Sequence, residues 1–286
     1  MVVLEKMLFP TDFSPYSMIV SEFLEDFKNA GVKEVGVLFV INTARLSSVS
    51  GGFDLGRYIE LEEKRAEEEL PKLLDKIEKT GLKAKVIKPF PSGNPVNEIV
   101  KNSKSYDFIS IGARGRGIFK EILLGSVSEG VARKSEIPVY VFKSKTEILE
   151  NEIKCYKPCD FLFRKILVAY DFSKFAQRAL EYATEIAKRT GGEMILLHVD
   201  EDSKSRKDDL KAVADDLRAK GIKLTEINVS GSPAKMIISK QEELKATTIF
   251  LGSRGLSLPR SLIGGSVSDP VIRMSEVPVF VSKGPK

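Results

Sequence analysis

FISIGARGRGIFKEILLGSVS, residues 108–128, decides how the chain is read. It opens on a short apolar run, places Gly112 and Gly115 just past that run, and reaches Gly125-Ser126 after nine further residues. Apolar residues followed at once by glycines mark a strand that ends in a tight turn. Residues 249–268, IFLGSRGLSLPRSLIGGSVS, repeat the arrangement with Gly252, Gly255 and Gly265-Ser266. A G-x2-G-x9-G-S spacing found twice points to two copies of one unit.

The copies extend outward from these loops. KMLFPTDFS (residues 6–14) matches KILVAYDFS (165–173), and GVLFV (36–40) matches ILLHV (195–199), both at an offset of 159. The glycines match at an offset of 140, as do SEIPVYV (135–141) and SEVPVFV (275–281). The first copy therefore holds 19 extra residues between Val40 and Gly112, most of them assigned to the Ser- and Gly-rich stretch 43–57. The division expected is one domain over 1–145, a linker over 146–163 and a second domain over 164–286. Cys155 and Cys159 fall in that linker. A C-x3-C with no second pair and no nearby His is a poor metal site, and both read as ordinary thiols.

Each copy starts with a short apolar strand followed by Asp12 or Asp171. Ser14 and Ser173 read as helix N-caps, with Pro15 in the first turn after Ser14. A second apolar strand ends at Val40 or Val199. A helix follows, clearest where Leu210, Val213, Ala214 and Leu217 form one stripe. A third strand, a short helix behind Asn94-Pro95 or Ser232-Pro233, the loop strand, another helix starting at Ser126 or Ser266, and a last strand complete each copy. Alternating strands and helices argue for an α/β fold with a parallel sheet covered by helices on both faces. Ligands of such sheets sit beyond the carboxyl ends of the strands. Asp12, Val40 and Gly112 are at such ends, as are Asp171, Val199 and Gly252.

The loop composition suits phosphate. Glycine lets backbone N–H groups approach an anion closely and tolerates positive φ. Gly125-Ser126 stands where a helix begins, with free N–H groups and a partial positive charge. The Ser126 hydroxyl adds a donor, and Arg114 or Lys120 adds charge; Arg254 and Arg260 are the counterparts. Asp12 and Asp171 suit a ribose hydroxyl or a metal ion near phosphates. G-x4-G-K-[ST] is absent, and no G-x-G-x-x-G follows the first strand. His198, the single histidine, is matched by Phe39 and reads as structural. No Ser/His/Asp set or Cys/His pair occurs, which argues against hydrolytic or acyl-transfer chemistry.

Composition sets the outer bounds. The chain has 286 residues, 42% hydrophobic and 30% charged, the balance of a folded protein. A net charge of +5 spread over mixed signs does not suggest a nucleic-acid partner. No apolar run reaches the length needed to span a bilayer. Residues 1–10 lack the order of a signal peptide, so a cytoplasmic location is expected.

These residues resemble the universal stress protein family in its tandem two-domain form. The glycine spacing matches the ATP-binding branch of that family twice, and PTDFS at 10–14 fits its first strand and turn. The resemblance implies five-stranded sheets of order 3-2-1-4-5, each binding ATP, ADP or AMP, with Mg2+ or Mn2+ as the ion that would accompany ATP. It implies base and ribose contacts from Thr11, Asp12, Tyr170 and Asp171, and backbone contacts to adenine from Val40 and Val199. Phosphate contacts would come from Gly112, Arg114, Gly115, Gly125, Ser126, Val127 and Ser128, and from Gly252, Arg254, Gly255, Gly265, Ser266, Val267 and Ser268. It also implies that the copies pair through their last strands and that whole chains form a homodimer. Tyr170, where the first copy has Thr11, is expected to crowd the second pocket. The leading reading is a nucleotide-binding regulatory protein of the stress response. A slow ATPase and an interaction scaffold with nucleotide as a structural ligand are the alternatives.

Overall fold

The computed structural model of the chain describes residues 2–44, 54–113, 125–149, 152–200, 205–253 and 266–284. Arg114, Gly115, Lys120, Arg254, Gly255, Arg260 and Gly265 lie outside the described residues.

In the first copy the order is β1 (Lys6–Pro10), α1 (Pro15–Met18), α2 (Leu24–Asn29), β2 (Glu34–Leu38), β3 (Ile41–Asn42) and α3 (Leu55–Lys79). Then come β4 (Lys83–Val86), β5 (Ser92–Gly93), α4 (Pro95–Asn102), β6 (Phe108–Ala113), α5 (Ser126–Lys134) and β7 (Val139–Lys143). A hairpin, β8 (Lys145–Leu149) and β9 (Glu152–Tyr156), follows. The second copy runs β10 (Lys165–Ala169), α6 (Lys174–Thr190), β11 (Glu193–Asp200), α7 (Lys207–Ala219), β12 (Leu224–Ser230), α8 (Pro233–Glu243), β13 (Thr248–Gly252), α9 (Ser268–Met274) and β14 (Val279–Ser282).

Ten strands form one sheet in the order β12-β11-β10-β13-β14-β7-β6-β1-β2-β4. Within each copy the principal strands pair in parallel in the order third, second, first, fourth, fifth. Alternation along the strands feeds two cores. Met7 and Phe9 face the layer of α1, α2, α3, α6 and α7, whereas Leu8 faces that of α4, α5, α8 and α9. Strands buried on both sides explain the continuous apolar runs.

Three local features differ from the sequence reading. The helix expected from the Ser14 cap to about Asn29 is broken: α1 and α2 are separated by a 3-10 segment, Ile19–Phe23. The Ser17 and Ser21 hydroxyls donate to the Ser14 and Met18 carbonyls, at 3.0 and 2.7 Å, a competing bond that disturbs helices. The extra residues of the first copy are mostly helical: α3 has 25 residues and α7 has 13, so the helix takes twelve of the nineteen and the preceding loop seven. The stretch read as linker folds partly into the β8–β9 hairpin, with Ile148 opposite Ile153 and Thr146 opposite Cys155. Cys155 and Cys159 are free thiols.

The copies meet where β14 pairs antiparallel with β7, Phe280 opposite Tyr140. Tyr140 is fully buried there among Phe27, Phe250 and Phe280, and its hydroxyl lies 2.5 Å from that of Thr248. Above the pair the contacts are reciprocal. Arg133 of α5 meets Asp269 of α9 at 3.3 Å, and Arg273 of α9 meets Glu129 of α5 at 2.5 Å. Lys143 Nζ donates to the Arg273 carbonyl and Lys283 Nζ to the Ala132 carbonyl, each cation at the carboxyl end of the other copy's helix.

Candidate functional site

The site is built on the turn after the first strand of each copy. Thr11 N–H donates to the Leu38 carbonyl at 2.9 Å, extending the β1–β2 ladder one residue beyond Pro10. The chain then turns through Phe13, whose φ is +59°, a left-handed conformation costly for a bulky side chain. Asp12 Oδ1 accepts from the Ser14 amide at 3.0 Å and the Ser14 hydroxyl at 2.6 Å. Ser14 caps α1 through the Ser17 amide. Desolvation pushes the Asp12 carboxyl up, but the hydrogen bonds from Ser14 and Ser17 outweigh it and hold the group below the usual carboxylate range.

The second copy repeats this turn. Tyr170 N–H donates to the Leu197 carbonyl at 2.8 Å, Phe172 has φ +64°, and Asp171 Oδ1 accepts from the Ser173 amide at 3.0 Å. Ser173 caps α6 through the Ala176 amide. A strained residue at the same place twice is a mark of a functional turn rather than of an accident of packing.

Because β1 lies between β2 and β6, Asp12, Val40 and Gly112 are brought to the same end of three neighbouring strands. Asp171, Val199 and Gly252 are brought together by β11, β10 and β13 in the same way. The first glycines have a packing reason to be glycine. A Cβ at Gly112 would lie 2.1 Å from the Tyr16 carbonyl oxygen, and one at Gly252 would lie 2.7 Å from Phe175 Cβ. The helix after the first strand rests on these residues.

Gly125 is the N-cap residue of α5, and the exposed Ser126 opens the helix. Val127 follows in the first turn, where the Ser128 hydroxyl donates to the Gly125 carbonyl at 2.9 Å. The second copy departs from the expected start at Ser266. Here α9 begins at Ser268, behind Ser266 and Val267 in a turn, and the Ser268 hydroxyl donates to the Ser253 carbonyl. Pro270 is the third residue of α9, where the backbone needs no donor because first-turn amides have no intrahelical partner.

Thr11 and Tyr170 point into the layer of the first helices. The Thr11 hydroxyl lies 3.0 Å from that of Ser17. Tyr170 is 6% exposed, and its hydroxyl donates to Gln177 of α6 at 2.7 Å. Both side chains tie the turn to the helix.

Several residues around the turns carry no motif. Arg65 of α3 donates to the Asp12 carbonyl at 2.9 Å and lies 5.9 Å from the Phe39 ring centre. Phe39 also packs on Phe13. In the second copy His198 replaces Phe39. One ring nitrogen, Nδ1, lies 2.7 Å from the Tyr170 carbonyl, and Nε2 lies 3.2 Å from Asp200. The Asp200 carboxylate also takes bonds from Asn228 Nδ2 at 2.6 Å and the Arg206 amide at 3.2 Å. Arg206 stacks 3.6 Å from the Phe172 ring centre. These groups were visible only as isolated letters, since Arg65 lies within α3 and Arg206 just before α7, at non-matching positions.

A twice-built parallel α/β sheet, with a strained Asp-Phe-Ser turn at the carboxyl end of the first strand of each copy, defines a class of tandem α/β proteins. The sequence model of the universal stress protein family matches residues 4–143, 162–214 and 200–283, and the chain belongs to that family. It is similar to a universal stress protein of Methanocaldococcus jannaschii, 35% identical over 160 residues that cover 50% of this chain and 98% of the relative. It is also similar to the crystal structure of a universal stress protein from Archaeoglobus fulgidus. That similarity has 49% identity and a TM-score of 0.82, covering 97% of this chain and 98% of the other. A universal stress protein structure from Pseudomonas aeruginosa, 14% identical with a TM-score of 0.58 over 98% of this chain and 93% of its own, shares the fold. Among the described residues no helix is long and apolar enough to cross a membrane.

Proposed function

We propose that the protein is an adenine-nucleotide-binding regulator of the stress response, taking ATP, ADP or AMP at one site per copy. The observation that carries this reading is the duplicated cradle: an Asp that accepts from a capping Ser, on a strained turn, beside the end of the glycine-loop strand. A carboxylate at this place suits a ribose hydroxyl, and the exposed start of α5 suits phosphate. Among the described residues no three His, Cys, Asp or Glu side chains cluster as a metal site. Mg2+ or Mn2+ would accompany ATP on its phosphates, with Asp12 or Asp171 as the carboxylate the turn offers. A cytoplasmic location and a homodimer of whole chains belong to the same reading.

The test is to denature freshly purified protein and identify released nucleotide by chromatography and mass, counted per chain. Close to two adenine nucleotides are expected, or two binding events when ATP is added to nucleotide-free protein in a calorimeter. No release and no heat on adding ATP, ADP or AMP would overturn the reading.

A further inference from the structure

A second kind of site lies at the opposite end of the sheet. A cleft of about 630 Å3 opens between α2 of the first copy and the amino ends of β10, β11, β12 and β13. That volume falls within the range of small-molecule sites. Five cations line it: Arg164, Lys165, Arg189, Lys223 and Lys245. Two carboxylates share it. Asp26 accepts the Leu162 amide at 2.8 Å, and Glu193 lies 3.8 Å from Lys165. Arg189 is paired with Glu185 at 2.8 Å. Arg164, Lys223 and Lys245 are exposed and make no ion pair among the described residues.

The first copy provides an internal comparison. At the amino ends of its strands Lys33 pairs with Glu5 at 2.6 Å and Lys83 with Glu34 at 3.6 Å, while the Asp107 carboxylate accepts the Glu5 and Lys6 amides. The repeat offsets put Arg164 where Glu5 stands and Thr247 where Asp107 stands. The same end of the sheet thus offers Glu5, Glu34 and Asp107 in the first copy, where the second keeps only Glu193 of the three and leaves Arg164, Lys223 and Lys245 without an ion pair among the described residues. Phe161, 65% exposed, forms part of the rim and offers an apolar face to a flat ring. We propose that this cleft binds a small organic phosphate bearing a flat ring, with Arg164, Lys223 and Lys245 holding the phosphate and Phe161 the ring.

The probes are inorganic pyrophosphate, inorganic phosphate and phenyl phosphate, titrated at fixed ionic strength into isotope-labelled full-length protein and followed by amide chemical shifts. The Gly191 and Gly192 amides should shift saturably with pyrophosphate. In the triple variant R164Q/K223Q/K245Q, affinity read at those amides should fall at least tenfold, with shifts at Gly125 and Ser126 unaltered. The Arg164, Lys223 and Lys245 side chains make no hydrogen bond or ion pair among the described residues, and an unchanged spectrum elsewhere verifies folding. Phenyl phosphate should bind more tightly than phosphate, and Phe161→Ala should abolish the difference. Gly191 and Gly192 amides that stay still, or that titrate alike in the triple variant, would overturn the site. Equal affinity for phenyl phosphate and phosphate would overturn the flat-ring ligand.

Discussion

Replacing Gly112 by alanine separates a role in the fold from a role in ligand binding. The new Cβ would lie 2.1 Å from the Tyr16 carbonyl oxygen and 2.7 Å from Ser17 Cα. Both are backbone atoms, so no rotamer change relieves the overlap, and α1 must move off β6. That motion strains the Ser14 cap and the Thr11–Ser17 hydroxyl contact together. Overpacking costs about 1–3 kcal/mol, and a clash with two backbone atoms belongs at the upper end. Gly112 is not among the glycines with positive φ, so alanine also restricts the unfolded chain and returns about 0.4–1 kcal/mol. The net loss is about 2–3 kcal/mol, or about 4–12 °C in Tm for a unit of this size. The assay is urea denaturation and thermal melting of nucleotide-free protein. Gly191→Ala is the comparator: its φ is +71° with open space around the new Cβ, and it should cost about 1 kcal/mol. A Gly112→Ala protein with wild-type stability and lost nucleotide affinity would refute the packing argument and return this glycine to the phosphate loop.

Burial, assisted by Asp26, pushes the Cys159 thiol up to about 12 from 9.0. The unfolded thiol ionises first, so its contribution is fully present below pH 9 and is lost as pH rises towards 12, with a slope approaching about 1.4 kcal/mol per pH unit. Denaturation from pH 8 to 10.5 should show this extra slope, and Cys159→Ala should remove it. Asp12→Ala should lower stability by about 1–2 kcal/mol through loss of the Ser14 bonds. On the proposed function it should also weaken nucleotide binding in the first copy at least tenfold; unchanged affinity by calorimetry would take Asp12 out of the site. Because the Asp12 carboxyl is held low, the stability it supplies should be present above the ordinary carboxylate range and fade as pH falls below it. Tyr140→Phe should cost about 0.5–1.5 kcal/mol, since Thr248 keeps its bond to the Pro278 carbonyl. Tyr140→Ala should cost about 3–5 kcal/mol by leaving a cavity at the seam. Equal unfolding midpoints for these two variants would contradict the packing described there.

The repeat, the alternation of strands and helices and the turn at Asp12 and Asp171 were legible because each rests on local pattern: apolar runs, Ser caps and glycine spacing; the strand order came only from the family resemblance. The β8–β9 hairpin was not, because its turn lacks an Asn-Gly or Asp-Gly signal. The Glu- and Lys-rich run 58–80, ending at Gly81, read as helix; only the first turn of α3 was missed, where the Asp54 cap accepts from the Arg57 amide. The left-handed φ of Phe13 and Phe172 could not be read at all, since no propensity favours phenylalanine there. Arg65 and Arg206 were missed for a different reason: tertiary packing alone brings α3 and α7 over the turns.

The two copies act as controls for each other. What they share is set by backbone contact: the left-handed Phe, the glycine under the first helix, and the lysine that reaches across the seam. Ser135 and Ser275 belong with these, each bonding the amide two residues on. What differs lies in side chains around the turns and at the sheet ends: Phe39 against His198, Arg65 and Arg206 delivered from non-matching positions, and Glu5 against Arg164. The shared set holds the sheet and the turns in place whatever the walls contain. A duplicated fold of this kind can keep one ligand cradle in both halves while the outer end of one half acquires unpaired charge. The carboxyl ends of the strands are therefore the place to look for the common ligand, and the amino ends of the second copy for one the first copy does not share.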